Sequence, residues 1–189
     1  MLVLVVGPSG AGKDTLLDTA RQALDGDRRF TFVRRVITRP VEAGGEAHEP
    51  IAPKEFGTRE FALSWRAHGL CYGIPADIAD DLARGTVVVA NVSRGVITEA
   101  ASRFDVRVIE VTAPPDILAG RLVARARETA DDIAKRLARS VALPAGVEAS
   151  TVLNNSTIET AAAAFVELLL GYARSASRSA RTNGSPGAA

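Results

Sequence analysis

"VVGPSGAGKDTLL", residues 5 to 17, sets an apolar run against a glycine-rich turn in which Gly7, Gly12 and Lys13 stand at the spacing G-x-x-x-x-G-K. Between a strand and a helix, such glycines let the backbone wrap around phosphates with its N–H groups turned inward. The helix N-terminus adds partial positive charge there. The stretch predicts a phosphate-binding loop made by Gly7, Pro8, Ser9, Gly10, Ala11, Gly12, Lys13, Asp14 and Thr15, with Lys13 reaching the β- and γ-phosphates of a nucleotide. One position departs from the pattern. Ser or Thr normally follows the lysine and holds magnesium, whereas this chain places the carboxylate of Asp14 there and Thr15 after it.

Working outward, short β-branched runs at 2–6, 31–37, 86–91, 106–112 and 150–153 alternate with helical patterns in "KDTLLDTARQAL", "PADIADDLARG" and "PPDILAGRLVARA". The last two open on proline, which suits the first turn of a helix. Strands alternating with helices predict an α/β fold with a mostly parallel sheet of the P-loop NTPase type. With 189 residues, 47% of them apolar, the chain has enough for one well-buried core and is short for two, so residues 1–173 are expected to form a single domain.

Charge and cysteine content bound the partners. The net charge is +1 with scattered basic residues, which argues against nucleic-acid or membrane binding through a general electrostatic field and for a small-molecule partner. The single Cys71 cannot form an internal disulfide, and the Met1 end shows no signal-peptide zones, so a cytoplasmic protein is expected. The longest apolar stretches, such as "TVVVANV" at 86–92, are too short to span a bilayer. Oligomeric state is not legible.

Two segments break the alternation. Residues 38–74 join a Gly/Pro/Glu-rich loop to two short strands, "FALSW" and "GLCYGI", and predict a small antiparallel insertion at one edge of the core. Residues 125–140 are polar nearly all round and rich in arginine, and predict a helical lid. Arg121, Arg125, Arg127, Arg136 and Arg139 repel one another unless polyphosphate or the acids Glu128, Asp131 and Asp132 neutralise them. The tail 174–189 lacks large apolar residues and is expected to be disordered. His48 and His68 lie in or beside loops and are expected in solvent, and Phe61 and Trp65 are expected to pack in the core.

A P-loop alone selects no reaction. There is no N-K-x-D or D-x-x-G sequence of a switch GTPase, and no acidic residue closes an apolar strand as in a motor ATPase. An insertion after the second strand and an arginine-rich lid after the fourth is the layout of a nucleoside-monophosphate-type kinase. One piece holds the acceptor and the other closes over ATP.

The motifs Gly12-Lys13-Asp14-Thr15, Ile37-Thr38-Arg39, Ala62-Leu63-Ser64-Trp65, Tyr72-Gly73 and Asn91-Val92-Ser93-Arg94 resemble the guanylate kinase superfamily over residues 2–172. Within it they are most similar to the ribose 1,5-bisphosphate phosphokinases of phosphonate breakdown. The resemblance implies ATP as donor, Mg²⁺ as its companion and a sugar phosphate as acceptor. It implies that Arg39 and Tyr72 hold the acceptor phosphate, with Ser64, Asn91, Ser93 and Arg94 in the acceptor site. Arg125, Arg127 and Arg136 would reach ATP or the transferring phosphoryl group. Kinases of this class also place an asparagine beside adenine where Asn155 stands, although capping the helix from Thr157 explains that residue equally well.

The departures from true guanylate kinases concern the acceptor. Those enzymes carry a glutamate about where Ser64 stands, which pairs with guanine, and a second arginine where this chain has Glu42. Without that carboxylate, guanine's N–H donors are left unpaired, and guanine is not expected as acceptor. Those enzymes also end the strand matching "VVVANV" in acids near the metal, where this chain offers Asn91. Asp14 therefore either supplies the displaced carboxylate near Mg²⁺ or only complements the dipole of the first helical turn. A guanylate-kinase-like nucleotide kinase and a non-catalytic binding module remain as alternative readings, and the intact Lys13 and glycine set speak against the second.

Overall fold

Leu2–Val6 (β1) is apolar at every position and fully buried, so both of its faces need cover. Alternation along the strand divides the work. Val3 and Val5 pack with Leu16, Leu17 and Ala20 of α1 (Lys13–Ala23) and with Phe165 and Leu169 near the C-terminus. Leu2, Leu4 and Val6 face the other way, against Ala62, Leu63, Ile74, Ile78 and Ile97.

The computed structural model describes residues 1–40, 47–124 and 143–182. Around β1 lies an all-parallel five-stranded sheet. It contains β2 (Phe30–Phe32), β7 (Val87–Asn91), β8 (Val106–Thr112) and β9 (Ala149–Leu153), in the order β2-β7-β1-β8-β9. One face carries α1 and α6 (Ile158–Thr182). The other carries α3 (Ile78–Ala83), α4 (Ile97–Arg103) and a second sheet. The helix α5 (Pro115–Ala124) follows β8. This is the α/β, parallel-sheet architecture expected of the chain.

The second sheet is the insertion, with order β4-β3-β6-β5 for β3 (Val36–Ile37), β4 (Glu49–Pro50), β5 (Phe61–Ala67) and β6 (Leu70–Pro75). Its pairing is antiparallel except that β3 and β4 run parallel. The short α2 (Pro53–Phe56) links β4 to β5. A register shift between Phe61 and Leu63 turns the neighbours Ala62 and Leu63 both into the core.

Three expectations need correction. The run 31–37 is two strands in different sheets: Val33 N–H still bonds Val89 O, but the carbonyl of Arg35 already accepts from Glu49 N–H. Both halves are β-branched, and composition cannot show a change of sheet. The expected disordered tail is helical through Thr182. Its serines return their hydroxyls to the helix, Ser175 to Gly171 O at 3.2 Å and Ser177 to Ala173 O at 2.9 Å, and Ala176 packs against the core. His48, expected in solvent, is 4% exposed. The lid at 125–140 and Glu42 lie outside the described residues, and among the described residues no helix is long and apolar enough to cross a membrane.

Candidate active site

The loop follows the buried central strand, at the carboxyl edge of the parallel sheet where ligands of open α/β sheets bind. Its shape is fixed by close approach. A Cβ on Gly7 (φ 148°) would lie 2.0 Å from Val111 O, and one on Gly12 (φ 91°) would lie 2.4 Å from Asn154 Nδ2. Gly12 is also the N-cap of α1 in the left-handed region, which glycine enters without strain. Lys13 Nζ donates to Gly7 O at 2.8 Å and Pro8 O at 2.9 Å, so the ammonium sits across the mouth of the loop.

Asn154 is the asparagine packed against the loop. It is 2% exposed, and its Nδ2 donates to Ala11 O at 2.8 Å, while its Oδ1 is buried with no hydrogen-bond partner. Asn155 is exposed. The cap of α6 is Thr157, whose Oγ1 accepts from Thr160 N–H at 3.3 Å. A backbone hydrogen bond at Glu159, with a second from Thr157, holds the Glu159 carboxyl below its ordinary value, as suits an acid in a first turn. Arg121 belongs to α5 and reaches the loop: Nη1 donates to Gly10 O and Nη2 to Asn154 O, each at 3.3 Å.

Asp14 accepts from Asn91 Nδ2 at 2.9 Å. Asn91 is 7% exposed at the end of β7, so the carboxylate is aimed at the carboxyl edge of the neighbouring strand. Beyond it, Ser93 accepts from Gly95 N–H at 3.4 Å at the head of a 3-10 turn, Arg94–Val96. Arg94 pairs with Glu110 of β8, and its Nε is buried without a partner.

The second sheet carries the other candidate residues. Tyr72 and Trp65 are cross-strand partners with ring centroids 5.4 Å apart and planes within 6°. The Arg35 guanidinium lies 5.3 Å from the Tyr72 ring and 6.0 Å from that of Trp65. Phe61 stacks on Phe56 at 4.4 Å, and Ser64 is exposed opposite Gly73. Thr38 extends the β3 ladder, its N–H to Cys71 O and its hydroxyl from Cys71 N–H, which sets Arg39 just past the strand. Arg39 Nε is buried without a hydrogen-bond partner among the described residues. A cleft beside α1 is lined among others by Asp14, Arg21, Phe32, Arg35 and Asn91.

The structure thus brings the loop, Asp14, Asn91, Asn154 and Arg121 to one sheet edge, and places Arg39, Tyr72 and Arg35 in the second sheet or at its edge. Arg125, Arg127, Arg136 and Arg139 lie outside the described residues. Sequence reasoning missed Asn154 and His48 and assigned Arg121 to the lid. Arg35, expected within the strand 31–37, lies in the link between β2 and β3.

No family model matches the chain. It is 55% identical to the ribose 1,5-bisphosphate phosphokinase PhnN of Acidiphilium cryptum, over 89% of this chain and 92% of that one. The PhnN protein of Agrobacterium fabrum, of the same name, is 46% identical over 89% and 95%. A guanylate kinase structure from Anaplasma phagocytophilum superimposes with a TM-score of 0.66 over 91% of this chain and 85% of that one, at 16% identity, which establishes a shared fold. With 55% identity over 170 aligned residues that cover most of both chains, the chain belongs to the ribose 1,5-bisphosphate phosphokinase family.

Proposed function

We propose that the protein transfers the γ-phosphoryl group of ATP to the 1-phosphate of ribose 1,5-bisphosphate, giving 5-phosphoribosyl 1-diphosphate and ADP, in phosphonate degradation. The observation that carries this reading is the 55% identity to a phosphokinase of that name, in a chain whose glycine-rich loop keeps Lys13 Nζ across its mouth.

An oxygen of the acceptor 1-phosphate attacks the γ-phosphorus, and the bond from that phosphorus to the β–γ bridging oxygen breaks, its electron pair leaving with ADP. A phosphate monoester has its second pKa at about 6, so the nucleophile is already ionised and no general base is needed. Catalysis then rests on positioning and charge. The loop N–H groups and Lys13 hold the donor phosphates, and Arg125 and Arg136 act on the transferring group, with Arg127 on ATP. Arg39 offers a planar fork to an acceptor phosphate, and Tyr72 a hydroxyl to the same group. Ser64, Asn91, Ser93 and Arg94 complete the acceptor side.

Among the described residues there is no cluster of three His, Cys, Asp or Glu side chains, which fits an ion held by one carboxylate and substrate phosphates, the usual way Mg²⁺ is bound. Asp14 would hold it, with Thr15 contacting the α-phosphate. When bound, the ion neutralises charge on the donor phosphates.

The test is ADP release from ATP and Mg²⁺ with ribose 1,5-bisphosphate and, separately, with GMP, with products read by phosphorus NMR. A pyrophosphoryl doublet on the sugar's C1 is expected with the first. Formation of GDP as the main product would replace this reading with a nucleotide kinase.

A further inference from the structure

The chain re-enters the second sheet at Ala47–Pro50, and β4 is locked beside β3 by Glu49 N–H to Arg35 O at 2.8 Å and Ile51 N–H to Ile37 O at 3.1 Å. That places His48 beneath Arg39. The carbonyl of His48 is itself fixed, accepting from Arg34 Nη2 at 2.8 Å. Its imidazole Nε2 lies 2.9 Å from the Arg39 carbonyl oxygen, and its Nδ1 lies 3.3 Å from Arg39 Nη2.

The chemistry of the partners sets the proton. A carbonyl oxygen only accepts and a guanidinium only donates, so Nε2–H donates to the Arg39 carbonyl and Nδ1 accepts from the Arg39 guanidinium. One buried ring thus holds both the main chain and the side chain of a single residue. Arg39 Nε, in the same guanidinium, is buried and has no hydrogen-bond partner among the described residues. A donor left in that condition is costly unless a ligand meets it. An arginine that binds phosphate as a fork must be aimed, and a long side chain loses rotamer freedom when it is.

We propose that His48 is a positioning residue for the acceptor: its Nδ1 aims the Arg39 guanidinium so that the remaining N–H groups face an acceptor phosphate. The proposal rests on Arg39 as an acceptor ligand, as read above. His48 acts through Arg39 and does not touch the reacting atoms. The competing role for the same ring is a staple that only closes the loop through the Arg39 carbonyl.

Two variants separate these roles. His48→Gln places an amide N–H near the position of Nε2 and removes the acceptor at Nδ1. His48→Asn keeps an acceptor near Nδ1 and is too short to reach the carbonyl. Steady-state kinetics with ATP, Mg²⁺ and ribose 1,5-bisphosphate should show an acceptor KM raised about tenfold in His48→Gln, the scale of losing a hydrogen bond to a charged group. The kcat and the KM for ATP should stay within about twofold, which also reports that the variant is folded. His48→Asn should hold the acceptor KM within about threefold of wild type, and His48→Gln added to Arg39→Ala should change it no further. An unchanged acceptor KM in His48→Gln, or a worse one in His48→Asn than in His48→Gln, overturns the proposal. If Arg39→Ala itself leaves the acceptor KM unchanged, Arg39 is not the acceptor ligand, and that reading fails along with the role of His48.

Discussion

Methyl groups added at Gly7 and at Gly12 of the phosphate loop meet different kinds of obstacle. At Gly7 the obstacle is Val111 O, backbone of the adjacent central strand at 2.0 Å, and relief requires β1 and β8 to part. At Gly12 it is Asn154 Nδ2 at 2.4 Å, the end of a side chain that can turn aside at the expense of its bond to Ala11 O. Both substitutions carry the left-handed backbone penalty of about 1–2 kcal/mol. Gly7→Ala should therefore lower the melting temperature more than Gly12→Ala, while Gly12→Ala should act mainly on the KM for ATP. Thermal denaturation in the reverse order would show that the loop, not the strand, gives way. Asp14 is the second case at this scale. Asp14→Asn should raise the Mg²⁺ concentration for half-maximal turnover about tenfold, the scale of weakening one charged ligand or its support. An unchanged magnesium titration would leave Asp14 as a first-turn acid only. The glycine and lysine spacing was legible because the chemistry is local to nine residues. The Asn91–Asp14 bond spans 77 positions, and no local pattern announces that the two side chains meet. His48 gave still less signal, since a histidine beside a loop reads as solvent until the parallel β3–β4 pair folds it under Arg39.

Elements were legible where burial leaves a continuous apolar run and obscure where the chain changes sheet. The strands at 2–6 and 106–112 stand where the runs are. The split after Phe32 was hidden because residues on both sides of it are strand formers. The helix α4 has few apolar residues and was not marked by its sequence, yet Ile97 and Ala100 are fully buried under the sheet. The long α6 carries Ala161, Ala162, Phe165, Leu169, Tyr172 and Ala173 on one stripe, enough to extend helical order past Arg174. Phe165 is its largest fully buried side chain. Phe165→Ala should destabilise the protein by about 3–5 kcal/mol in a denaturant titration, since it opens a cavity between α1 and the sheet. A cost under about 1 kcal/mol would mean that α6 closes the gap by moving. The contact of α5 with the loop is the other test at this scale. Arg121→Ala removes the tether to Gly10 O and Asn154 O, and should raise the KM for ATP about tenfold while leaving the acceptor KM near its wild-type value. An equal rise in both constants would assign Arg121 to the whole cleft.

At the scale of the whole molecule, a second, smaller sheet packs against one face of the parallel sheet. The parallel sheet carries the phosphate loop at its edge, whereas Arg39, Tyr72 and Arg35 come from the smaller sheet or its ends. A guanine acceptor would need acceptors for its ring and exocyclic N–H groups. In the second sheet, the position where the resemblance implies a guanine-reading glutamate is the uncharged Ser64, and the aromatic wall of Trp65 and Tyr72 is covered by the cation of Arg35. Substrate donors that find no acceptor in a site not built for them cost about a hundredfold. The kcat/KM for GMP should accordingly fall about a hundredfold below that for ribose 1,5-bisphosphate, with the KM for ATP the same in both assays. The comparison is informative because both acceptors present a phosphate monoester to the same arginines, so that only the part beyond the phosphate differs. GMP turnover within about tenfold of ribose 1,5-bisphosphate would mean that the second sheet does not read the acceptor beyond its phosphate, and that selection must lie with residues outside those described here.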